Sequence, residues 1–311
     1  MAQPTITELA AIISANTAKI DNYLRSQGLK SPSFDVDAPT EPIVPSDAPK
    51  LEAARSELID ATLMLHDLIL GPKEYLTKFT HDWLISMQAI GRFNIANSIP
   101  IHEEVSYADI AKICGVNELD VRRILRHAMT LRLFKEPKRG VIAHTAASRM
   151  IAEDQQMADW VAATSDELWQ AATQTVNAMV KHPGSQEPGE TGFALANGYD
   201  LRYFIDNYSW KEVGNGTVVD VGGSHGFACA RIVINDNVLP KPGTLPRWRE
   251  ERLRSMDLTI LELQNSRERE LEDWAKLFED ADPRFTFKGG QPAGCNLWIL
   301  EAVWDGDSPT Q

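Results

Sequence analysis

A short connection between two predicted strands is the feature that most constrains how this chain can fold. The run VVDV (218–221) is rich in β-branched residues and predicts a buried strand, and RIVIND (231–236) predicts the next one. Nine residues, 222–230, lie between them, and about half of these form a glycine-rich turn. A crossover between parallel strands needs about ten to twelve residues or more. The sequence therefore predicts a sheet domain that has been shortened.

Length and composition exclude several classes of protein. A chain of 311 residues favours two domains, and 44 acidic against 31 basic residues give a net charge of −13, which disfavours a protein that neutralises phosphates. No apolar run approaches the roughly 20 residues that span a bilayer, and the first residues lack the pattern of a signal peptide. The three cysteines form no C-x-x-C pair. We expect a cytoplasmic protein without a disulfide framework or a metal site.

The chain changes character from helical to mixed along its length. Ile6, Leu9, Ile13, Ile20 and Leu24 form an amphipathic stripe, and five prolines follow it in an extended linker. A partner subunit is a plausible cover for a stripe on such a tethered helix. The predicted segments are an N-terminal helix in 1–30, a proline-rich linker in 31–50, a helical domain in 51–190 and an α/β domain in 191–311.

The segment from 107 to 145 has the pattern of a winged helix-turn-helix. A short helix (107–113), a turn at Gly115 and a longer helix (118–133) precede a basic, hairpin-like stretch. This pattern suggests nucleic-acid binding, which the net charge disfavours. The clustered basic residues are Arg122, Arg123, Arg126, His127, Arg132, Lys135, Lys138 and Arg139.

The turn after the first strand is a candidate ligand site. Asp220 ends the strand, and Gly222, Gly223 and Gly226 follow it. Glycines there let backbone amides approach a ligand at the carboxyl end of a strand, where open α/β sheets bind cofactors. A tight turn without a ligand is the alternative.

Several segments carry a resemblance to a known family. The run DVGGSHG resembles motif I of the S-adenosylmethionine-dependent methyltransferases, and DVRRILRHAMTLRLFKEP, RIVINDNVLPKPGTLP and NLWILEAVW are similar to the fungal branch of the plant-type O-methyltransferases. The resemblance implies an α/β fold with a large all-α N-terminal part: a winged-helix dimerisation domain plus a truncated Rossmann-like methyltransferase domain. It also implies a homodimer and methyl transfer from S-adenosylmethionine to a phenolic hydroxyl of an aromatic metabolite.

The resemblance breaks at the short connection. In the family this gap holds a ribose-binding acidic residue and a His-Asp-Trp segment whose histidine is the general base. Asp236 and Glu268 match the two acidic residues that flank that histidine, which has no counterpart here. His81-Asp82-Trp83 has the right letters but precedes motif I, and His225 lies within the glycine turn. Loss of a general base would lower the rate by roughly 10²- to 10⁴-fold.

Both carboxylates also have ordinary structural explanations. Glu268 follows Asn265 by three residues and is predicted to close a capping box, and Asp236 is a typical residue of a strand-end turn. By resemblance, the substrate would contact Met157, Trp160, Thr164, Met256 and Asp257, although such residues at helical spacing are more often core.

Three functions therefore stay open. The chain is an impaired O-methyltransferase, a non-methylating descendant that binds or cyclises a metabolite, or a dimer partner of an intact relative. Winged-helix DNA binding is a remote fourth.

Overall fold

A computed structural model of the chain describes residues 4–45, 47–198, 231–293 and 297–304. The chain divides into two compact units, Met1–Trp169 and Gln170–Gln311. The domain boundary predicted near residue 190 stays a prediction.

The first unit begins with two long helices that pack along each other. α1 (Ile6–Ser26) starts with a capping box in which Thr5 and Glu8 satisfy each other's backbone amides. After the proline-rich linker, α2 (Pro49–Thr77) begins with a proline and kinks at Gly71, whose φ is 68°.

Part of the apolar stripe of α1 is covered within the chain. Leu9, Ile20 and Leu24 are buried, and α1 packs against α2. Part of the stripe is therefore buried without a partner, whereas Ile6 at its start is exposed, and cover by a partner subunit stays a prediction. The linker is long enough for α1 to fold back, since each extended residue spans about 3.3 Å.

The predicted winged helix is confirmed. Its three strands have the order β1–β3–β2, and both pairings are antiparallel. Gly115 adopts the left-handed conformation that ends the first helix, with a φ of 67°. The elements are β1 (Val105–Ser106), α4 (Tyr107–Cys114), α5 (Glu118–Thr130), β2 (Lys135–Lys138) and β3 (Val141–Ala143).

Further helices surround the winged helix and share its core. Ile90, Ile110, Val121, Leu125 and Ile142 lie at the centre of this core and are almost fully buried. The remaining elements of this unit are α3 (Asp82–Arg92), a 3₁₀ turn (Ala96–Ser98), α6 (Ala146–Glu153), α7 (Gln155–Ala162) and a π-helical segment (Ala163–Leu168). The next helix, α8 (Trp169–Lys181), belongs to the second unit from Gln170 onward.

The second unit contains a three-stranded sheet of order β4–β6–β5 within its described residues. The central strand is antiparallel to both neighbours, so β4 and β5 are parallel and need the helical crossover between them. The elements are a 3₁₀ turn (Pro188–Glu190), α9 (Gly192–Asn197), β4 (Arg231–Asp236), α10 (Arg247–Gln264), α11 (Leu271–Ala281), β5 (Phe285–Pro292) and β6 (Trp298–Trp304).

One face of this sheet forms the core of the second unit. Trp274 and Phe278 of α11 lie in one buried cluster with Leu300 and Ala302 of β6. The opposite face is more open, because Val233 is 60% exposed. The predicted strand RIVIND is therefore only partly buried, because its alternate side chains have different surroundings.

Replacing Gly192 with alanine should destabilise the second unit. A Cβ at this position would lie 2.5 Å from the Ala171 carbonyl oxygen and 2.9 Å from the Thr175 Cα, so backbone must move. We expect a loss of about 1–3 kcal/mol in the free energy of unfolding. Gly91→Ala is the matched control, because its Cβ would meet nothing nearer than 3.9 Å inside a helix, and it should be neutral or stabilise by up to about 1 kcal/mol. Denaturant unfolding of the two variants checks this, and equal stability would contradict it.

Candidate functional site

The predicted cofactor residues Asp220, Gly222, Gly223 and Gly226, together with His225, lie outside the described residues. Their role in holding a cofactor stays a prediction. The described part of the candidate site lies at the end of β4.

The two predicted carboxylates come together at this end of the sheet. Asp236 is the last residue of β4, and the Asn237 side-chain amide donates to Glu268 Oε1 at 3.2 Å. The Glu268 backbone amide donates to Asp257 Oδ1 at 2.8 Å. The pairing of Val238 with Arg269 continues this connection. Three carboxyl groups from β4, α10 and the segment before α11 are therefore held in one cluster.

Glu268 is the most strongly perturbed carboxyl of the cluster. It is 8% exposed. Burial raises the pKa of Glu268, and the negative charges of Asp236 and Asp257 raise this pKa further, against the opposing hydrogen bond from Asn237. A carboxyl group in such surroundings holds its proton to higher pH than usual. Its chemistry is that of a weak acid or base beside two anions.

The capping box predicted for Glu268 is wrong. Asn265 ends α10 in the left-handed conformation, with a φ of 52°, and its side-chain amide donates to the Glu187 carbonyl oxygen. Glu270, not Asn265, is the N-cap residue of α11. The Glu268 carboxylate therefore takes no part in helix capping and accepts a hydrogen bond from the Asn237 side chain instead. The sequence analysis did not identify Asn237 as a site residue. The Asn-Asp-Asn triplet at the end of a predicted strand could have indicated it.

No described histidine hydrogen-bonds or pairs with Asp236, Asp257 or Glu268. His182, in the same unit, pairs with Glu190 at 3.2 Å. His81 precedes α3 in the first unit, where it is exposed and lies 3.6 Å from Asp82.

The predicted substrate residues occupy two helical segments, one in each unit. Met157 and Trp160 lie on α7 and are exposed, Trp160 to 60%. Thr164 lies in the π-helical segment, and its hydroxyl is buried without a hydrogen-bond partner among the described residues. Met256 is exposed on α10, next to Asp257 of the carboxylate cluster. Contact of any of these with a substrate stays a prediction.

Several basic residues of the winged helix are engaged within the chain. Arg122 pairs with Glu118, Lys138 pairs with Glu104, and Lys135 lies 3.7 Å from Asp35. Phosphates would have to compete with these carboxylates, which weakens the case for nucleic-acid binding.

Glu136 is a further anionic partner and accepts hydrogen bonds from three residues of the winged helix. Arg126 donates to both of its carboxylate oxygens at 3.0 and 3.1 Å, the Tyr107 hydroxyl donates at 3.1 Å, and the Gly140 amide donates at 2.6 Å. These bonds, those of Arg126 and Gly140 first, lower the pKa of Glu136 to about 2. The carboxylate thus joins α4, α5 and the wing.

The described residues form neither a metal site nor a membrane-spanning helix. Among them there is no cluster of three or more His, Cys, Asp or Glu arranged to hold a metal ion. The helices in this part of the chain are all too short or too polar to cross a membrane.

Comparison with solved structures defines the fold. The structure of OxaC superposes with a TM-score of 0.69 over 96% of this chain and 98% of that chain, at 13% identity. The complex of LepI with SAM gives 0.61 over 95% and 99%, also at 13% identity. The chain therefore shares the fold of these structures, an α/β fold with a helical N-terminal part.

Sequence comparison relates the chain to fungal O-methyltransferases. It is 29% identical to the grayanic acid biosynthesis cluster O-methyltransferase of Cladonia grayi, over 96% of this chain and 88% of that protein. It is also 29% identical to O-methyltransferase pyvH of Aspergillus violaceofuscus, over 98% and 100%. The chlorophenol O-methyltransferase of Trichoderma longibrachiatum is 27% identical, over 98% and 91%. No protein-family model matches the chain.

The length of one alignment carries further information. The alignment with pyvH covers 430 positions, whereas this chain has 311 residues, so at least 119 positions have no residue of this chain. Because the alignment covers 98% of this chain and 100% of pyvH, these positions are internal.

Replacing Glu268 with glutamine should change how stability depends on pH. A carboxyl whose pKa is raised in the folded state stabilises the fold less as pH rises from about 4.5 through its folded pKa, because the fold must then hold the anion. We expect E268Q to lack this decline and to gain stability relative to wild type as pH rises above about 4.5. Glu279→Gln, on the exposed face of α11, is the control for loss of one charge. Parallel pH dependences of E268Q and wild type would contradict the assignment.

Glu136→Gln should have the opposite pH dependence. A carboxyl with a folded pKa of about 2 stabilises the fold above pH 4.5, and this contribution is lost as pH falls toward 2. We expect a loss of about 1–3 kcal/mol at pH 7 that shrinks on acidification. Glu118→Gln, which breaks an exposed pair with Arg122, should cost less than about 0.5 kcal/mol. Chemical unfolding at pH 7 and pH 3 distinguishes the two, and equal losses at pH 7 would refute the prediction.

Proposed function

We propose that the chain is an S-adenosylmethionine-dependent O-methyltransferase of fungal secondary metabolism whose transfer to phenolic hydroxyls is impaired. The observation that carries the proposal is the alignment with full-length O-methyltransferases, which spans both chains and leaves at least 119 internal positions unmatched. The similarity supports the class of reaction, and the missing positions support its impairment.

The described site is compatible with this cofactor. S-adenosylmethionine supplies an electrophilic methyl group on a positively charged sulfur. Three carboxyl groups at the end of β4 provide a negative environment that suits a cation. We propose Asp220, Gly222, Gly223 and Gly226 as the residues that hold the cofactor, with Asp236 and Glu268 near the reacting oxygen and Asp257 beside them.

The described groups of the site do little to remove the phenol proton. A phenol with a pKa near 10 is mostly protonated at neutral pH and is then a poor nucleophile. Glu268 has a raised pKa, but a carboxylate remains a much weaker base than the phenolate it would have to generate. Its role in this proposal is to accept a hydrogen bond from the hydroxyl and to orient it. Substrates that ionise by themselves should therefore react best.

The proposal includes a homodimer formed through the N-terminal region. Exposed apolar side chains follow one another along the second half of α2 and the turn after it, and such a surface is typical of an interface. They include Ile69, Leu76 and Phe79.

The aromatic metabolite would contact Met157, Trp160, Thr164 and Met256.

A non-methylating descendant is the second candidate. A solved structure described as a pericyclic reaction enzyme superposes with a TM-score of 0.61 at 12% identity. The fold therefore also serves a reaction other than methyl transfer. In that case this chain binds the cofactor or a metabolite without consuming a methyl group.

The pH dependence of methyl transfer tests the proposal. S-adenosylmethionine is first titrated into the full chain in a calorimeter. Methyl transfer is then measured to a polychlorinated phenol that is acidic enough to be ionised across the pH range studied, and to the unchlorinated phenol. Because no base assists, the rate with the phenol should rise about tenfold per pH unit below its pKa, and the chlorophenol, already ionised, should react at a nearly constant rate.

Other outcomes are equally informative. A rate with the phenol that levels off near pH 7 would show a competent general base and refute the impairment. Cofactor binding without transfer to either phenol would favour the non-methylating descendant, and absence of heat at millimolar cofactor would exclude methyl transfer altogether.

A further inference from the structure

Part of the proline-rich linker is docked onto the winged helix. We call residues 33–38 the strap. The Ala146 amide donates to the Phe34 carbonyl oxygen at 3.2 Å, and Arg149 Nη2 donates to the Ala38 carbonyl oxygen at 3.1 Å. Arg132 stacks over the Phe34 ring at 5.1 Å, and Ala38 is buried. The strap is therefore a fixed part of the first unit rather than a free tether.

A cavity of about 310 Å³ lies between the strap and the wing. Its apolar lining comes from three separate segments: Val36 of the strap, Ile101 of the loop before β1, and Pro137 and Ala143 of the wing. The lining is nearly balanced between apolar and polar surface, so the cavity can contact both the apolar body and the charged group of one small ligand.

His144 closes one side of the cavity without offering it a polar atom. Its Nε2 donates to the Ile99 carbonyl oxygen at 3.0 Å, and its Nδ1 lies 2.9 Å from the Ser148 hydroxyl; this tautomer follows from the carbonyl acceptor. Burial lowers the pKa of the imidazole, so the ring is neutral. Both nitrogens are engaged, and the ring adds apolar surface to the cavity.

The charged groups of the lining determine whether the cavity favours a positively or a negatively charged ligand. Glu103 and Glu104 face a single lining cation, Lys135. Lys135 already lies 3.7 Å from Asp35, and Glu104 is paired with Lys138. The Glu103 carboxylate has no cation within 4 Å among the described residues. The fields of these groups attract a cation and repel an anion.

The remaining titratable group at the rim is His102, which lies 3.8 Å from the carboxylate of Asp37 in the strap.

We propose that this cavity binds a small organic ammonium ion with an apolar body, whose ammonium group pairs with Glu103 while its body contacts Val36, Ile101 and Ala143. The site lies wholly within the first unit and is separate from the proposed methyl-transfer site. Its occupant would bridge the strap and the wing and so hold the linker in place.

Binding of three probes of similar size but different charge tests the proposal. Phenethylamine, 2-phenylethanol and 3-phenylpropionate are titrated into the full chain and followed by calorimetry and ligand-observed NMR. We expect phenethylamine to bind with a dissociation constant of about 1 mM or tighter, the alcohol to bind more weakly and the carboxylate not to bind. Glu103→Gln should weaken the amine about two- to fivefold, and Glu41→Gln, an equal charge change on the linker outside the cavity, should leave it unchanged.

Two variants test whether the cavity itself is the site. Val36→Trp fills it from the strap and Ala143→Phe fills it from the wing, and either should abolish binding while thermal unfolding shows a folded protein. Equal binding of amine and carboxylate, an equal effect of E103Q and E41Q, or unchanged binding in a folded V36W or A143F would overturn the proposal. None of these outcomes bears on methyl transfer, so the two proposals fail independently.

Discussion

The described sheet of the second unit depends on β6, because both of its other strands pair with this one. The side chains of Leu300 and Ala302 on β6 are fully buried in one cluster with α11. The register of β6 places Trp298 opposite Asp236 and so determines where β4 ends. The position of the carboxylate cluster is therefore a consequence of hydrophobic burial in the middle of the sheet.

The chemistry of the cluster follows from that position. Glu268 is buried next to two other carboxyl groups, an arrangement that favours a proton on one of them. Such a group can orient a hydroxyl, yet it is a poor base for a phenol. Independently, the alignment with pyvH leaves internal positions without a residue of this chain, which supports the proposal that methyl transfer is impaired.

The first unit shows how intramolecular contacts can change the meaning of a motif. A winged helix with a basic second helix is typical of nucleic-acid binding. Here Glu118, Glu136 and Glu104 pair with its arginines and lysines, and the strap lies against Arg132. The same strap forms one wall of the cavity beside the wing. We have proposed that this cavity binds a cation, whose charge is opposite to that of a nucleic acid.

Local pattern determined much of this molecule. The stripe of α1, the winged helix and strand β4 were predicted, since periodicity of 3.6 residues and short β-branched runs are visible in the sequence itself. The approach of Asp236 to Glu268 was anticipated only through a resemblance. Tertiary structure alone decided that α2 covers α1, that Val233 is exposed, that Asn265 caps α10 instead of forming a box with Glu268, and that the strap docks on the wing. Each of these depends on which distant segment comes next to a residue, and such contacts are set by the packing of the whole unit rather than by the spacing of neighbours along the chain.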